Sequence, residues 1–161
     1  MKIGFGADHA GQRLKRVLIE HLRAGGHTVI ELGPPTTPDD DYPLIVRPLA
    51  DAIASGAVER GIFTCGSGIG PAVAASKIPG VRAAVVDNEW SARDAVAHVD
   101  VNLLTLGERV IGEELAKAIV DAYLSARVEG GRHARRREQI VNLENSAPVV
   151  ADAVRGMGRG R

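Results

Sequence analysis

The sequence predicts an α/β protein: one three-layer α/β/α, Rossmann-like domain built on a five-stranded parallel sheet. Two observations predict it. Short apolar runs and amphipathic stretches alternate about five times along the chain, the order that a parallel sheet with crossover helices requires. The composition agrees, with 45% apolar residues but only 3% aromatics. Ala, Val, Ile and Leu dominate, which suits helices packed on a sheet that is buried on both faces.

Each element has a local reason. Lys2 to Gly6 reads as the first strand, with Ala7-Asp8-His9-Ala10-Gly11 as the loop at its carboxyl end. Leu14, Val17, Leu18 and Leu22 share a helical face that Gly25-Gly26 ends. His27 to Leu32 reads as the second strand, and Gly33 to Asp41, rich in Pro, Thr and Asp, as a loop. A helix is expected from about Tyr42, with Ile45, Leu49, Ala52 and Ile53 inward; Pro48 predicts a kink or a later start. Gly61 to Cys65 reads as the third strand, followed by a glycine turn and a helix with Pro71 at its first position.

Pro79-Gly80 breaks the chain before a fourth strand, Val81 to Val86. Asn88 is placed to cap a helix running to about His98, and Asn102 to Leu106 reads as the fifth strand. Leu115, Ala118, Ile119, Ala122 and Tyr123 mark the inner face of the next helix. Gly130-Gly131 precedes a basic helix from Arg132 to about Glu144. From Ser146 onward periodicity vanishes, so the expectation is one domain over 1–145 and a mobile tail over 146–161.

Whole-chain chemistry narrows the partners. Twenty basic residues balance twenty acidic ones, so no global field draws the chain to nucleic acid or to a membrane surface. No signal-like segment opens the chain and no apolar run approaches a membrane span. The single cysteine permits no internal disulfide. A cytoplasmic protein is expected.

The chemistry concentrates around Phe63-Thr64-Cys65-Gly66-Ser67-Gly68-Ile69-Gly70-Pro71. A strand, a glycine turn and a helix start can converge backbone N–H groups on one small anion. They would also set a thiol at the mouth of that nest, where a helix N-terminus favours the thiolate. A steric glycine turn beside a merely buried cysteine fits the spacing equally well. Asp8, His9, Cys65 and Ser67 all fall at strand ends, where open parallel sheets bind ligands, and His98 is expected near the same region.

Three templates fail. Gly66-Ser67-Gly68-Ile69-Gly70 lacks the dinucleotide glycine spacing and follows the third strand rather than the first. Gly6 to Gly11 has the phosphate-loop spacing, but Gln12 stands where lysine must be. No two histidines sit at metal spacing with a carboxylate. Arg132 and Arg136, four apart on one helical face, could grip a phosphate; a solvated basic helix is the commoner fate of such runs. A nucleic-acid patch is disfavoured because no aromatics are interleaved.

The chain resembles the B-type ribose-5-phosphate isomerases, a family that includes galactose-6-phosphate and allose-6-phosphate isomerase subunits. Five stretches carry the resemblance, in order and in register. They are Gly6 to Gly11, Asp41-Tyr42-Pro43, Cys65 to Gly70, Gly107-Glu108-Arg109-Val110-Ile111-Gly112, and Glu129-Gly130-Gly131-Arg132-His133. The resemblance implies aldose–ketose isomerisation through an enediolate, with no metal or organic cofactor. It implies Cys65 as the base, the amides of Gly66, Ser67, Gly68, Ile69 and Gly70 around the oxyanion, Ser67 assisting ring opening and His98 as the acid. Asp8 would bind sugar hydroxyls; His9, Arg132 and Arg136 would hold the phosphate, with Arg109 nearby. It also implies a homodimer or tetramer whose sites are shared between subunits. One position departs: Val99 stands where the family usually has a substrate-contacting asparagine. A nucleotide-binding module and an idle partner subunit are the alternatives from other classes.

Overall fold

The structure, a computed structural model, describes residues 1–146, so all of the expected tail except Ser146 lies outside the described residues. Five strands are β1 (Lys2–Ala7), β2 (Thr28–Glu31), β3 (Arg60–Cys65), β4 (Ala83–Val85) and β5 (Leu103–Gly107). They alternate with α1 (Gln12–Ala24), α2 (Tyr42–Ala54), α3 (Ile69–Ala75), α4 (Glu89–Val99) and α5 (Glu113–Ser125), and α6 (Arg132–Asn145) follows. Every pairing is parallel, in the order β2-β1-β3-β5-β4. The winding reverses between β1 and β3, so a crevice opens beyond their carboxyl ends.

The two-residue period of the strands divides the core between two helical layers. Ile3, Phe5, Ile62, Leu104 and Leu106 pack with residues of α1, α4 and α5. Phe63, Cys65 and Leu103 pack on the other side with Ile45, Leu49 and Ile53 of α2. Gly4 is what lets α2 sit close: a Cβ there would lie 2.5 Å from Leu49 Cδ1.

Four details differ from the sequence expectation. The fourth strand is half its expected length, because Arg82 bonds to a side chain: its N–H donates to Asn102 Oδ1 at 2.8 Å. Helix α2 begins at Tyr42 and runs through Pro48, whose exposed ring sits on the solvent side, so there is no later start. Helix α3 starts two residues earlier than expected, putting Pro71 at its third position, still within the turn whose N–H groups have no helical partner. In α5 Ile119, Ala122 and Tyr123 are buried as expected, joined by Ala116, Val120 and Leu124, but Leu115 is exposed. Asn88 caps α4 as expected, accepting the Ser91 N–H at 2.8 Å.

Candidate active site

The first loop of the crevice is held by its own polar groups. Asp8 accepts the Ala10 N–H at 2.8 Å and so caps a single 3₁₀ turn, His9–Gly11. That turn lies against β3: the Asp8 N–H donates to Thr64 O at 3.2 Å, and Thr64 Oγ1 donates to Gly11 O at 2.9 Å. A Cβ on Gly11 would overlap Thr64 O at 2.2 Å, so only glycine permits this approach. Gln12 donates its side-chain amide to Asp8 O and to Thr36 Oγ1, each at 3.0 Å. It fastens the loop, where a lysine would have reached for a nucleotide phosphate.

The second loop carries the thiol. Between the end of β3 at Cys65 and the start of α3 at Ile69, Gly68 adopts φ +83°, a left-handed conformation that a Cβ would disfavour. The turn sends the Gly68 N–H back to Cys65 Sγ, 2.9 Å away. The Ile69 N–H lies 3.4 Å from Ser67 Oγ. The end of β5 closes over this turn: the Glu108 N–H donates to Cys65 O at 2.8 Å and the Arg109 N–H to Gly66 O at 3.1 Å. The Arg109 guanidinium covers Gly66, with Nη1 3.3 Å from where a Cβ would stand, and the Tyr42 ring covers Gly70 in the same way at 2.7 Å.

These pieces enclose a cleft of about 340 Å³. Asp8, His9, Cys65, Gly66, Ser67, Gly70 and Arg109 line it, joined by Ala10, Tyr42, Pro71 and Val110. It is the size of a small-molecule site with a few convergent polar groups. A groove of about 380 Å³ beside α6, lined in part by Arg82, Asp100, Arg137 and Glu138, offers charge but no nucleophile.

The thiol corrects one expectation. Cys65 is 4% exposed, and burial pushes its pKa above the ordinary thiol value. Hydrogen bonds from the Gly68 and Ser67 amides pull it down without cancelling burial, and the charge of Asp8 adds to the rise. Burial therefore favours the neutral thiol, with thiolate-stabilising amides already in place, over the thiolate expected from a helix N-terminus.

His98, Arg132 and Arg136 do not line that cleft; they form a second group where α4 meets α6. His98 closes α4, and its ring stacks on His133 with centroids 3.8 Å apart and planes 11° from parallel. Its Nδ1 lies 2.6 Å from Asp94 Oδ1, one helical turn back, and its Nε2 lies 3.7 Å from Glu129 Oε2. Arg132 donates through Nε to His133 Nε2 at 3.1 Å, while Arg136 is exposed. Burial, the neighbouring His98 and Arg132 push the His133 pKa below the ordinary imidazole value. Val99 packs beside this group on the core, facing a groove with Ile140 and Leu143.

His98, Glu129 and His133 bring three potential metal-ligand atoms within 4.8 Å of one another, a grouping that sequence spacing did not foresee. The geometry is wrong for an ion. Ring lone pairs lie in the ring planes, and two stacked, near-parallel planes share no point where a metal could sit in both. His133 Nε2 is also already engaged by Arg132.

The family described as Ribose/Galactose Isomerase matches residues 3–140. The chain belongs to that family. It is 46% identical over 143 residues to ribose-5-phosphate isomerase B of Escherichia coli, covering 89% of this chain and 96% of that protein. It is 40% identical over 146 residues to D-erythrulose-4-phosphate isomerase of Pectobacterium atrosepticum, covering 90% and 96%. Among solved structures, ribose-5-phosphate isomerase B of Clostridium thermocellum superposes with a TM-score of 0.87 at 46% identity, covering 90% of this chain and 98% of that one. The enzyme of Mycoplasma genitalium, solved with bound ribulose 5-phosphate, gives 0.86 at 37% identity, covering 91% and 97%. Membership in this isomerase family removes the nucleotide-binding module as a reading of the glycine turn.

Sequence reasoning found the cleft but missed several of its walls and supports. Tyr42 lay in a quoted motif without a role, and its place over Gly70 follows only from the packing of α2 on α3. Asp94, Glu129 and His133 went unassigned. For Asp94 a signal existed, since an acid four residues before a histidine on one helix faces it.

Proposed function

We propose that the chain interconverts an aldose phosphate and its ketose, of the ribose 5-phosphate and ribulose 5-phosphate type, by proton transfer through an enediolate. The observation that carries this reading is Cys65 Sγ held 2.9 Å from the Gly68 N–H in a cleft shared with Asp8, Ser67 and Arg109. Cys65 takes the proton from the carbon beside the carbonyl and returns it to the neighbouring carbon. The amides of Gly66 to Gly70 stabilise the oxyanion that develops on the carbonyl oxygen. Asp8 accepts hydrogen bonds from sugar hydroxyls. Ser67 assists ring opening, His98 protonates the ring oxygen, and His9, Arg109, Arg132 and Arg136 hold the phosphate.

The working unit in this reading is a homodimer or a tetramer of such dimers, in which the cleft of one subunit meets His98, Arg132 and Arg136 of the other. Two features support it. The cleft and the basic group are separate within one chain, and the large side chains at and beside the cleft, Tyr42, Leu44, Ile69, Val73 and Val110, are exposed. An apolar rim of that kind marks an association surface. A cytoplasmic location suits a lone working thiol, which needs a reducing compartment. No helix among the described residues is long and apolar enough to cross a membrane.

The substrate is open to a second reading, a shorter sugar phosphate. Val99 favours it, since valine cannot hydrogen-bond a hydroxyl. Asn102 does not replace the missing amide: its Oδ1 accepts the Arg82 N–H and its Nδ2 donates to Gly80 O, both at 2.8 Å. The deciding experiment is an isomerisation screen of four- to six-carbon sugars, each with and without phosphate. Turnover confined to phosphorylated aldose–ketose pairs supports the proposal; no isomerisation of any of them would refute it.

A further inference from the structure

Asp94 is spent by nothing described so far. It sits one turn before His98 on α4, and its Oδ1 lies 2.6 Å from His98 Nδ1. The contact is an ion-pair approach, and because an ionised carboxylate can only accept, it favours the tautomer with its hydrogen on Nδ1. The other ring nitrogen, Nε2, stands 3.7 Å from Glu129 Oε2, beyond hydrogen-bonding distance. The His133 ring, stacked at 3.8 Å, fixes the plane in which Nε2 points. His98 is anchored from behind as well: Arg137 donates to its carbonyl at 3.3 Å and to Glu129 O at 2.8 Å. The two rings of the stack are also unlike in their surroundings. Asp94 lies against His98 and Arg132 donates to His133, while Glu129 Oε2 lies between the rings, 3.7 Å from His98 Nε2 and 3.8 Å from His133 Nε2.

We propose that Asp94 is a positioning residue, which holds a proton on His98 Nδ1 and so makes Nε2 the atom that gives a proton to the ring oxygen of the cyclic sugar. The inference rests on the reading of His98 as the ring-opening acid. In the step itself, Nε2 of the Nδ1–H ring first takes a proton from water, and the imidazolium so formed passes it to the ring oxygen as the bond from that oxygen to C1 breaks. The C1 hydroxyl becomes the aldehyde and releases its proton to water, replacing the one first taken. A neutral histidine without a fixed partner is free to carry its hydrogen on either nitrogen, and which one is set by the bond the other makes.

Ribose 5-phosphate and ribulose 5-phosphate separate this role from the proton transfer at carbon. The aldose is a closed furanose and must be opened. The ketose has no free hydroxyl placed to close a five-membered ring, so its C1 hydrogen can exchange with solvent without any ring step. Asp94→Leu should slow turnover of ribose 5-phosphate by about 10–100-fold, part of what a general acid contributes. The same variant should leave deuterium exchange at C1 of ribulose 5-phosphate within about twofold of wild type, because that exchange uses Cys65 and not His98. Asp94→Glu, which restores a carboxylate, should recover part of the turnover.

Long-range ¹H–¹⁵N spectra of the full chain, labelled at histidine, read the tautomer without any turnover. They should show neutral His98 protonated at Nδ1 in wild type and moving to Nε2–H in Asp94→Leu. A tautomer unmoved by Asp94→Leu overturns the proposal, as does an equal loss in both kinetic arms. His98→Ala with wild-type turnover of ribose 5-phosphate, beside the expected tautomer change, would instead overturn the reading of His98 and with it the catalytic half of the proposal.

Discussion

Gly68→Ala tests the link between backbone geometry and the thiol. Gly68 has φ +83°, a conformation that costs a residue with a Cβ about 1–2 kcal/mol. The new Cβ would lie 3.0 Å from Val85 Cγ1 and 3.3 Å from the Leu106 carbonyl carbon, one flexible neighbour and one rigid one. At roughly 2–4 °C per kcal/mol for a domain of this size, the melting temperature should fall by about 2–8 °C. The turn can relieve the strain by rotating toward negative φ, and that rotation takes the Gly68 N–H away from Cys65 Sγ, now 2.9 Å away. A thiolate deprived of a charge-assisted hydrogen bond loses about 1.5–3 kcal/mol, or roughly 10–100-fold in the rate that depends on it. Three readouts on one preparation separate strain from chemistry: thermal denaturation, kcat on the sugar phosphate, and the pH profile of alkylation by iodoacetamide. The expected result is a modest loss of stability, a large loss of kcat and an alkylation profile displaced to higher pH. A lower melting temperature with kcat and the alkylation profile unchanged would show that the amide does not hold the thiolate.

Other outcomes follow from the same geometry. In the wild-type chain without substrate, alkylation of Cys65 should rise with pH to a midpoint above the ordinary thiol value, since burial favours the neutral form. By the same sign, the fold keeps this group's full contribution below the ordinary thiol value and loses stability as pH climbs toward the raised one. Arg132→Ala and Arg136→Ala should each raise KM for the phosphorylated sugar by about 10–100-fold with kcat largely kept, and should matter little for a free sugar. Mixing Cys65→Ala with His98→Ala subunits should regenerate about a quarter of the wild-type sites if each site draws on both chains of a symmetric dimer. No rescue after confirmed subunit exchange would contradict shared sites. Val99→Asn should raise kcat/KM for ribose 5-phosphate relative to a four-carbon sugar phosphate, and an unchanged ratio would remove Val99 from the account of specificity.

Much of the fold could be read from the sequence because its signals are local. The five strands are short apolar runs bounded by Gly, Pro or Asp, and Asn88 announces the start of α4 by its own side chain. The glycine turn after Cys65 was legible for the same reason: Gly68 meets a backbone need that no other residue meets as easily. What stayed hidden depends on distant partners. The fourth strand is shortened by Asn102, a residue of the β4–β5 edge twenty positions away from Arg82. The direction of the Cys65 shift depends on how much protein covers the sulfur, and periodicity does not report that. The His98–His133 stack exists only because α6 folds back on α4, so neither the stack nor its false likeness to a metal site is written in any local spacing.

The central claim is that Cys65 moves a proton between adjacent carbons of a sugar phosphate, and solvent exchange tests it most directly. Ribulose 5-phosphate incubated in deuterium oxide with the wild-type chain should gain deuterium at C1 while ribose 5-phosphate appears. With Cys65→Ala, both processes should fall by about 10²-fold or more, as loss of a general base requires, while the folded chain still binds the sugar phosphate. Exchange at C1 by Cys65→Ala at the wild-type rate would contradict the account and move the base to another residue of the cleft.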